Sequence, residues 1–597
     1  MSQIVVIDAG GQYCHLITRR VREAGVQAEI RQPEQALAAL SGARGVIISG
    51  GPSSVYARGA PRCPPELFEH GLPVLGICYG HQLMAHTLGG VVEPGHEREY
   101  GDAELRILKS DAIFRDVPGT QRVWMSHGDE VRKPPPGFEI LARTESCPVA
   151  AMADPKRKLF GLQFHPEVEH SAHGTAILNN FLFRVCECEK DWNVGEQLKA
   201  VVDEIRRKVG GRNVLFFVSG GVDSTVAFTL CTEVLGPERV RGVFVDTGLM
   251  RLKDRQQIAG EFERRGWHNV RTVSAEDLFL GALSGVFDPE EKRKRIGEAF
   301  VEVQRRILAE EGLDHGDWML GQGTIYPDTI ESGGSAGAAV IKTHHNRVAA
   351  IEELEKKGLI VEPIRSFYKD EVRVVGRQLE LPPELTDKHP FPGPGLAVRC
   401  LCSAETHPAR DFPEVDEIAR PYGFTSWAVP LKTVGVQGDS RSYHDLLVLR
   451  GTGNLDRAGE AAVRITRSVR GTNRVALLLH ARGEGRPSVV RAAVERSRLD
   501  LLRQADWVAH EVLRQHDLLK AIWQFPVVLA PLSFGRGETI ALRPVCSSDG
   551  MTAKFAGLAE LPQAVVSELA ERLAAIPGVD AVLYDVTNKP PGTIEWE

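Results

Sequence analysis

The chain reads as an α/β protein of three domains, two built on largely parallel sheets and a third, smaller one of α+β type. Three observations carry that expectation. Residues 1–190 alternate short apolar strands with amphipathic helices, the signal of βαβ crossovers. The run Val214-Leu-Phe-Phe-Val-Ser-Gly-Gly-Val-Asp-Ser-Thr225 is a buried strand, a glycine turn and a helix start, which places a second parallel sheet within 191–399. From 400 to 597 strands and helices mix without that alternation. A chain of 597 residues also exceeds what one hydrophobic core supports.

Composition narrows the function classes. The apolar 43% and charged 25% are ordinary for a globular protein, and a net charge of −7 gives no electrostatic reason for nucleic-acid binding. No stretch approaches the roughly 18 apolar residues of a membrane span, and Met1-Ser-Gln-Ile begins a strand rather than a signal peptide. Ten cysteines in so long a chain do not make a disulfide framework. Cys186-Glu-Cys188 and Cys400-Leu-Cys402 lack the C-x2-C spacing of a zinc ribbon. A reduced, cytoplasmic protein without nucleic-acid or membrane partners is expected.

In the first domain, Ile4–Ile7, Gly45–Ile48 and Pro73–Ile77 are buried strands, and His15–Ala24 is a helix closed by Gly25. The third strand stops at Cys78 in Gly76-Ile-Cys-Tyr-Gly-His-Gln82. A sharp strand-to-helix turn there exposes the thiol near a helix N-terminus and favours the thiolate. A thiolate nucleophile needs a base, and the base an orienting group. Phe164-His-Pro-Glu167 offers both, with His165 at a strand end and Glu167 two residues on. Singly, Cys78 reads as a core thiol and His165 as a surface residue; together they read as a catalytic set. The pattern resembles class I glutamine amidotransferases. The resemblance implies Cys78 as nucleophile, His165 as base, Glu167 as orienter, and an oxyanion hole from the N–H groups of Gly51 and Tyr79. It also implies that Gln82, Ser126, His127, Gly128 and Asp129 hold glutamine, although Ser126–Asp129 reads equally well as a surface turn.

A boundary falls near residue 190, and a helix from Val194 leads into the central strand. The glycines of Ser219-Gly-Gly-Val-Asp-Ser224 let backbone N–H groups close on an anion where the helix dipole favours one. No Gly-Lys-Ser/Thr follows, so this is not a Walker A loop. The stretch resembles the PP-loop of ATP pyrophosphatases; otherwise it is a capped tight turn. The resemblance implies ATP at Ser219, Gly220, Gly221, Val222, Asp223 and Ser224, adenine against Val245, and Lys369 on the pyrophosphate. It also implies Mg2+ bridging the phosphates with Asp223 as ligand. Val240–Val245 and Asp317–Thr324 read as neighbouring strands. The basic run Pro289–Gly297 reads as a solvated helix end, and Lys342-Thr-His-His-Asn346 as a polar turn suited to phosphate or partner contact. Asp387–Arg399, rich in proline and glycine, reads as a non-helical linker.

In the third unit, Val429–Asp439, Phe525–Ala530 and Ala581–Val586 read as strands, and Ser497–His516 and Pro562–Ala575 as helices. The terminal Asn588-Lys-Pro-Pro-Gly-Thr-Ile-Glu-Trp-Glu597 reads as a tail that is tied down. With Gly-Ile-Cys-Tyr-Gly-His-Gln, Phe-His-Pro-Glu, Ser-Gly-Gly-Val-Asp-Ser, Asp-Lys-His-Pro-Phe-Pro-Gly-Pro-Gly-Leu and this tail, the whole chain is similar to the glutamine-hydrolysing GMP synthetase family. That resemblance implies adenylylation of xanthosine monophosphate (XMP) by ATP and displacement of AMP by ammonia. It implies XMP contacts at Arg293, Asp439, Gln524, Lys589, Ile594 and Glu595, and no organic prosthetic group. Cys400–Asp439 and Arg450–Arg498 are longer than in compact members, whose third unit makes a homodimer, so monomer and homodimer both stay open. Arg347 follows Asn346 where compact members carry Val-Gly-Gly. Competing readings are a PP-loop ligase making NAD or asparagine, a tRNA-thiolating PP-loop protein, and an inactive scaffold.

Overall fold

The computed structural model describes residues 2–597 apart from 12, 111, 311–316, 327–353, 387–388, 438–439, 470, 484 and 548–552. The expectations for Lys342–Asn346 with Arg347, and for Asp439, lie outside the described residues. The chain forms two compact units. One is Met1–Asp203 with Ile325, Tyr326 and Ser366–Glu371; the other holds Glu204–Thr324, Leu354–Arg365 and Val372–Glu597.

The first unit is built on nine strands: β1 (Ile4–Ile7), β2 (Ala28–Arg31), β3 (Gly45–Ile48), β4 (Val74–Ile77), β5 (Val91–Ile107), β6 (Thr120–Lys133), β7 (Glu139–Arg143), β8 (Ala151–Asp154) and β9 (Leu159–Leu162). Their order is β2-β1-β3-β4-β9-β8-β7-β5-β6, parallel from β2 to β9 and antiparallel beyond. The inner parallel strands β1, β3, β4 and β9 are fully buried apolar runs because side chains leave them on both faces, whereas β2 at the edge alternates buried Ala28 and Ile30 with half-buried Glu29 and Arg31. Ile4 and Val6 enter one core, Val5 and Ile7 the other. Helix α1 (Cys14–Glu23) follows β1 and α2 (Tyr79–Thr87) follows β4. Arg22, in the last turn of α1, joins the outlying segments to this unit. Its guanidinium lies 4.3 Å from the Trp192 ring and 4.5 Å from that of Tyr326, and its Nη1 donates to the Ser366 carbonyl at 3.0 Å.

The second unit opens on α3 (Val194–Val209), whose first residues still belong to the first unit. A five-stranded, all-parallel sheet follows, made of β10 (Asn213–Phe217), β11 (Val240–Asp246), β12 (Val270–Ser274), β13 (Trp318–Gly321) and β14 (Ile360–Val361) in the order β12-β11-β10-β13-β14. Helix α4 (Val222–Leu235) springs from the central strand and is buried along most of its length, which its apolar sequence allows. Beyond residue 400 a seven-stranded mixed sheet runs from Arg410–Asp411 at one edge to Val527–Ala530 at the other. One continuous apolar cluster takes in Leu215 and Leu320 from the first sheet and Leu477, Val582 and Tyr584 from the second.

Three sequence expectations are corrected. The strand read at Val429–Asp439 is part of a longer one, Phe424–Gln437, paired with Ser440–Gly451. Its register shifts between Val429 and Lys432, where Pro430 has no N–H for the ladder. The basic run after Pro289 is not merely a solvated end. It opens the 22-residue helix Pro289–Glu310, and Lys292 within it is 0% exposed. The proline-glycine segment does contain a helical turn: Gly395–Val398 is 3-10, possible because the last proline is Pro394 and Gly395 takes a φ of +67°.

Candidate active sites

β4 ends at Ile77 and α2 begins at Tyr79, so Cys78 alone makes the turn, with φ 52° and ψ −105°. This is a strained conformation for a residue with a Cβ. The turn closes only on glycine, since a Cβ at Gly76 would lie 2.4 Å from the Gly80 carbonyl oxygen. The expected exposure of the thiol is corrected: Cys78 is 5% exposed. Partners distant in sequence cover it. Its Sγ is 3.5 Å from the Ser126 carbonyl and receives the Gln163 amide at 3.8 Å.

His165 is hydrogen-bonded to Cys78 and buried, so the surface reading of it is corrected as well. Its Nδ1 lies 2.7 Å from Glu167 Oε1, which leaves Nε2 for the sulfur. Burial pulls the imidazole pKa down, but the Glu167 carboxylate, the Cys78 sulfur and hydrogen bonds to both outweigh it and raise the value to about 10. The proton therefore rests on His165 at neutral pH. Tyr13 meets the imidazole edge-on at 4.9 Å. A Cβ at Gly50 would stand 3.0 Å from His165 Cε1 and 3.4 Å from Cys78 Cβ, and one at Gly51 would strike the Ala9 carbonyl at 2.3 Å. Tyr79 is the first residue of α2, where the helix offers its N–H no acceptor. Ser126–Asp129 is no surface turn but part of β6, paired with β5. Gln82 donates to the Asp129 carbonyl at 2.6 Å and to Gln163 at 3.2 Å, while His127 Nδ1 lies 3.1 Å from the same carbonyl. Beside Gly128 the space is open. Gln82 and 126–129 thus share one wall with Cys78.

In the second unit, Val218 N–H bonds to the Val243 carbonyl at 2.9 Å and the chain turns through Gly220 at φ +77° into α4, capped by Gly221. The Ser219 and Ser224 hydroxyls are 3.0 Å apart, and Ser224 Oγ also receives the Ser219 N–H at 3.2 Å. Val222, Asp223 and Ser224 form the first turn, so N–H groups, hydroxyls and the positive end of the helix dipole converge on one spot. That arrangement binds anions. Val245 lies on the adjacent strand, two residues past the Phe217–Val243 pair. Lys369 opens the helix Lys369–Gln378 inside the Ser366–Glu371 segment of the first unit; the other seven residues expected to hold ATP belong to the second.

The tail is held by buried cations. Trp596 is 0% exposed and donates to Asp585 Oδ2 at 2.9 Å. Arg474 and Arg543 pair with the same carboxylate at 2.5 and 3.2 Å. Burial raises the Asp585 pKa, yet the two guanidiniums win and hold it below the usual carboxylate range. Lys292 forms an ion pair with Glu597, Arg293 donates to the Glu597 carbonyl, and Arg399 grips Glu595. Gln524 donates to the Pro390 carbonyl at 3.1 Å, and the Lys589 backbone pairs with Ala553. Arg293, Ile594 and Glu595 are thereby gathered about one segment.

Residues 5–185 match the family model for class-I glutamine amidotransferase, 194–280 that for NAD synthase, and 511–596 that for the GMP synthase C terminal domain. Over its full length the chain is 41% identical to a probable GMP synthase (glutamine-hydrolyzing) of Leptospira interrogans, spanning 99% of that protein. It is 38% identical to the GMP synthase of Thermobifida fusca and 39% to that of Streptomyces coelicolor, spanning 98% of each. The chain belongs to the glutamine-hydrolysing GMP synthase family. It combines a class I glutamine amidotransferase domain, a PP-loop domain and a C-terminal domain. Among the described residues no helix is long and apolar enough to cross a membrane.

Sequence reasoning missed three residues of these sites. Gln163 carried a usable signal, two residues before His165 and so on the same side of an extended chain. Tyr13 and Gly323 carried none. A Cβ on Gly323 would come within 2.9 Å of Ser224 N, so that glycine lets one strand end approach the anion loop. Asp223 supplies one hard oxygen donor beside a phosphate cradle. This fits an Mg2+ that arrives on ATP and takes its remaining oxygens from phosphate and water.

Proposed function

We propose that this chain makes GMP from XMP, ATP and glutamine, with ammonia released at Cys78 and used at the PP-loop. The observation that carries this reading is the presence, in one chain of the family, of a Cys78–His165–Glu167 set and a serine-glycine anion cradle. The Cys78 sulfur attacks the glutamine amide carbon, and the N–H groups of Gly51 and Tyr79 receive the oxyanion. His165 gives its proton to the leaving nitrogen, so ammonia departs and a glutamyl thioester remains. Water, deprotonated by His165, hydrolyses the thioester to glutamate and restores the sulfur. Gln82 and the 126–129 wall hold the substrate's amino-acid end.

At the second site the C2 oxygen of XMP attacks the α-phosphorus of ATP and pyrophosphate leaves. Ser219, Gly220, Gly221, Val222 and Ser224 hold it, and adenine rests against Val245. Mg2+, with Asp223 as a ligand, supplies charge neutralisation there when bound. Ammonia then adds to C2 and AMP leaves, giving GMP. Arg293, Gln524, Lys589, Ile594 and Glu595 bind XMP, the two basic residues suiting its phosphate monoester. Positioning and charge neutralisation account for most of the acceleration. Ten unbridged cysteines suit the reducing cytoplasm as the place of work.

The test is acceptor specificity with Mg-ATP and ammonium. Pyrophosphate release is expected with XMP and not with nicotinate adenine dinucleotide or aspartate. Turnover of either alternative acceptor, without turnover of XMP, overturns the assignment.

A further inference from the structure

We propose that Arg399 is a positioning residue for the purine ring of the acceptor, acting through Glu595; this rests on the reading of Glu595 as an XMP contact. Arg399 is 0% exposed and holds both oxygens of Glu595, Nε to Oε2 at 3.0 Å and Nη2 to Oε1 at 2.8 Å. The Glu595 side chain is 21% exposed, so the carboxylate sits at the rim of the core with its back edge fixed and its outer edge accessible. Xanthine carries ring N–H groups, and a carboxylate only accepts. A fixed carboxylate edge therefore selects a ring that offers N–H donors in one orientation.

Holding the tail does not require this ion pair. The backbone of the segment is already secured, since Arg474 donates to the carbonyls of Thr593 at 3.2 Å and Glu595 at 3.0 Å, and Trp596 is buried next door. What Arg399 adds is the rotamer of a single side chain. Immobilising a glutamate costs side-chain entropy, which is otherwise lost when substrate binds. The arrangement is not one that stability alone favours. Among the described residues the buried Arg399 Nη1 has no hydrogen-bond partner, and a buried guanidinium is rarely better for stability than an apolar side chain of similar size.

The proline-glycine segment supplies the mount. The 3-10 turn Gly395–Val398 delivers Arg399, and the Phe391 ring lies 5.3 Å from its guanidinium carbon and 4.6 Å from that of Arg251. Gln524 binds the Pro390 carbonyl of the same segment. The stretch that reads as a linker is thus a bracket on which two proposed XMP contacts rest.

The test uses the full chain with saturating Mg-ATP and ammonium and varies XMP, for Glu595→Gln, Arg399→Met, Arg399→Lys and the double variant Arg399→Met/Glu595→Gln. Glu595→Gln and Arg399→Met are each expected to raise the KM for XMP roughly ten- to hundredfold, leaving the KM for ATP unchanged. Arg399→Lys should fall between, because an ammonium is not a fork. The double variant should be no worse than Glu595→Gln alone. A folded Arg399→Met with wild-type KM for XMP, beside an impaired Glu595→Gln, overturns the positioning role and leaves the contact standing. Losses that add in the double variant also overturn it. A wild-type KM in Glu595→Gln overturns the contact and the proposal together. Should Arg399→Met fail to fold, Arg399→Lys alone and combined with Glu595→Gln answers the same question.

Discussion

The carboxylate of Glu167 decides where the glutaminase proton rests. Burial alone drives a histidine neutral, and the adjacent carboxylate and sulfur reverse that by raising His165 to about 10. Replacing Glu167 by Gln removes the carboxylate charge that raises the His165 pKa. The upper limb of the glutaminase pH–rate profile should then move to lower pH, and kcat should fall roughly 10²-fold or more. An unchanged limb would mean that the carboxylate does not govern this proton. The same shift has a stability sign. His165 lies near 6.5 when unfolded and is raised when folded, so its contribution is full below about 6.5 and is lost as pH rises through about 10.

At the scale of elements, both sites are strand-to-helix turns whose glycines let backbone approach backbone. Gly323 is the least conspicuous of them. Gly323→Ala places a methyl within 3.1 Å of Ser224 N, Ser224 Cα and the Asp223 carbonyl carbon. The loop must give way, so the KM for ATP should rise in ammonium-driven synthesis while glutamine hydrolysis at Cys78 is untouched; an unchanged KM would show the loop to be compliant. Local motifs were legible because short runs encode them: four apolar residues, then glycines, then a hydroxyl or acid. What such runs do not encode is who comes to meet them. Cys78 read as exposed because its cover, Ser126 and Gln163, arrives from other strands. Ser126–Asp129 read equally as a turn because its pairing partner, β5, is set by tertiary structure. Lys292 read as part of a solvated helix end, as most basic residues are, and Arg399 as the last residue of a linker, until the tail supplies Glu597 and Glu595.

The molecule as a whole was legible in its class and in the order of its parts. The sharing of one apolar core by the two sheets of the second unit was not, since that depends on which helix faces meet. Each unit also encloses a histidine that burial keeps neutral at pH 7. In the first, burial lowers His81 to about 3 despite its bond to the Val149 carbonyl; in the second, burial lowers His510 to about 4 despite Asp506. An unfolded histidine titrates near 6.5, so the unfolded state binds the extra proton first. Stability from these groups is full above about 6.5 and is lost as pH falls toward about 3 and about 4. The melting temperature should drop from pH 7 to pH 4, and His81→Gln should flatten that slope; an equal slope in the variant would show that other groups dominate.

Two separable chemistries in one chain are the centre of this account, and one comparison tests them together. GMP formation from XMP and Mg-ATP is measured for the wild type and for Cys78→Ala, with glutamine or ammonium as nitrogen donor. The account predicts that Cys78→Ala loses synthesis from glutamine and keeps it from ammonium. Glutamine-driven synthesis surviving in the variant, or no GMP from either protein with ammonium, would contradict it.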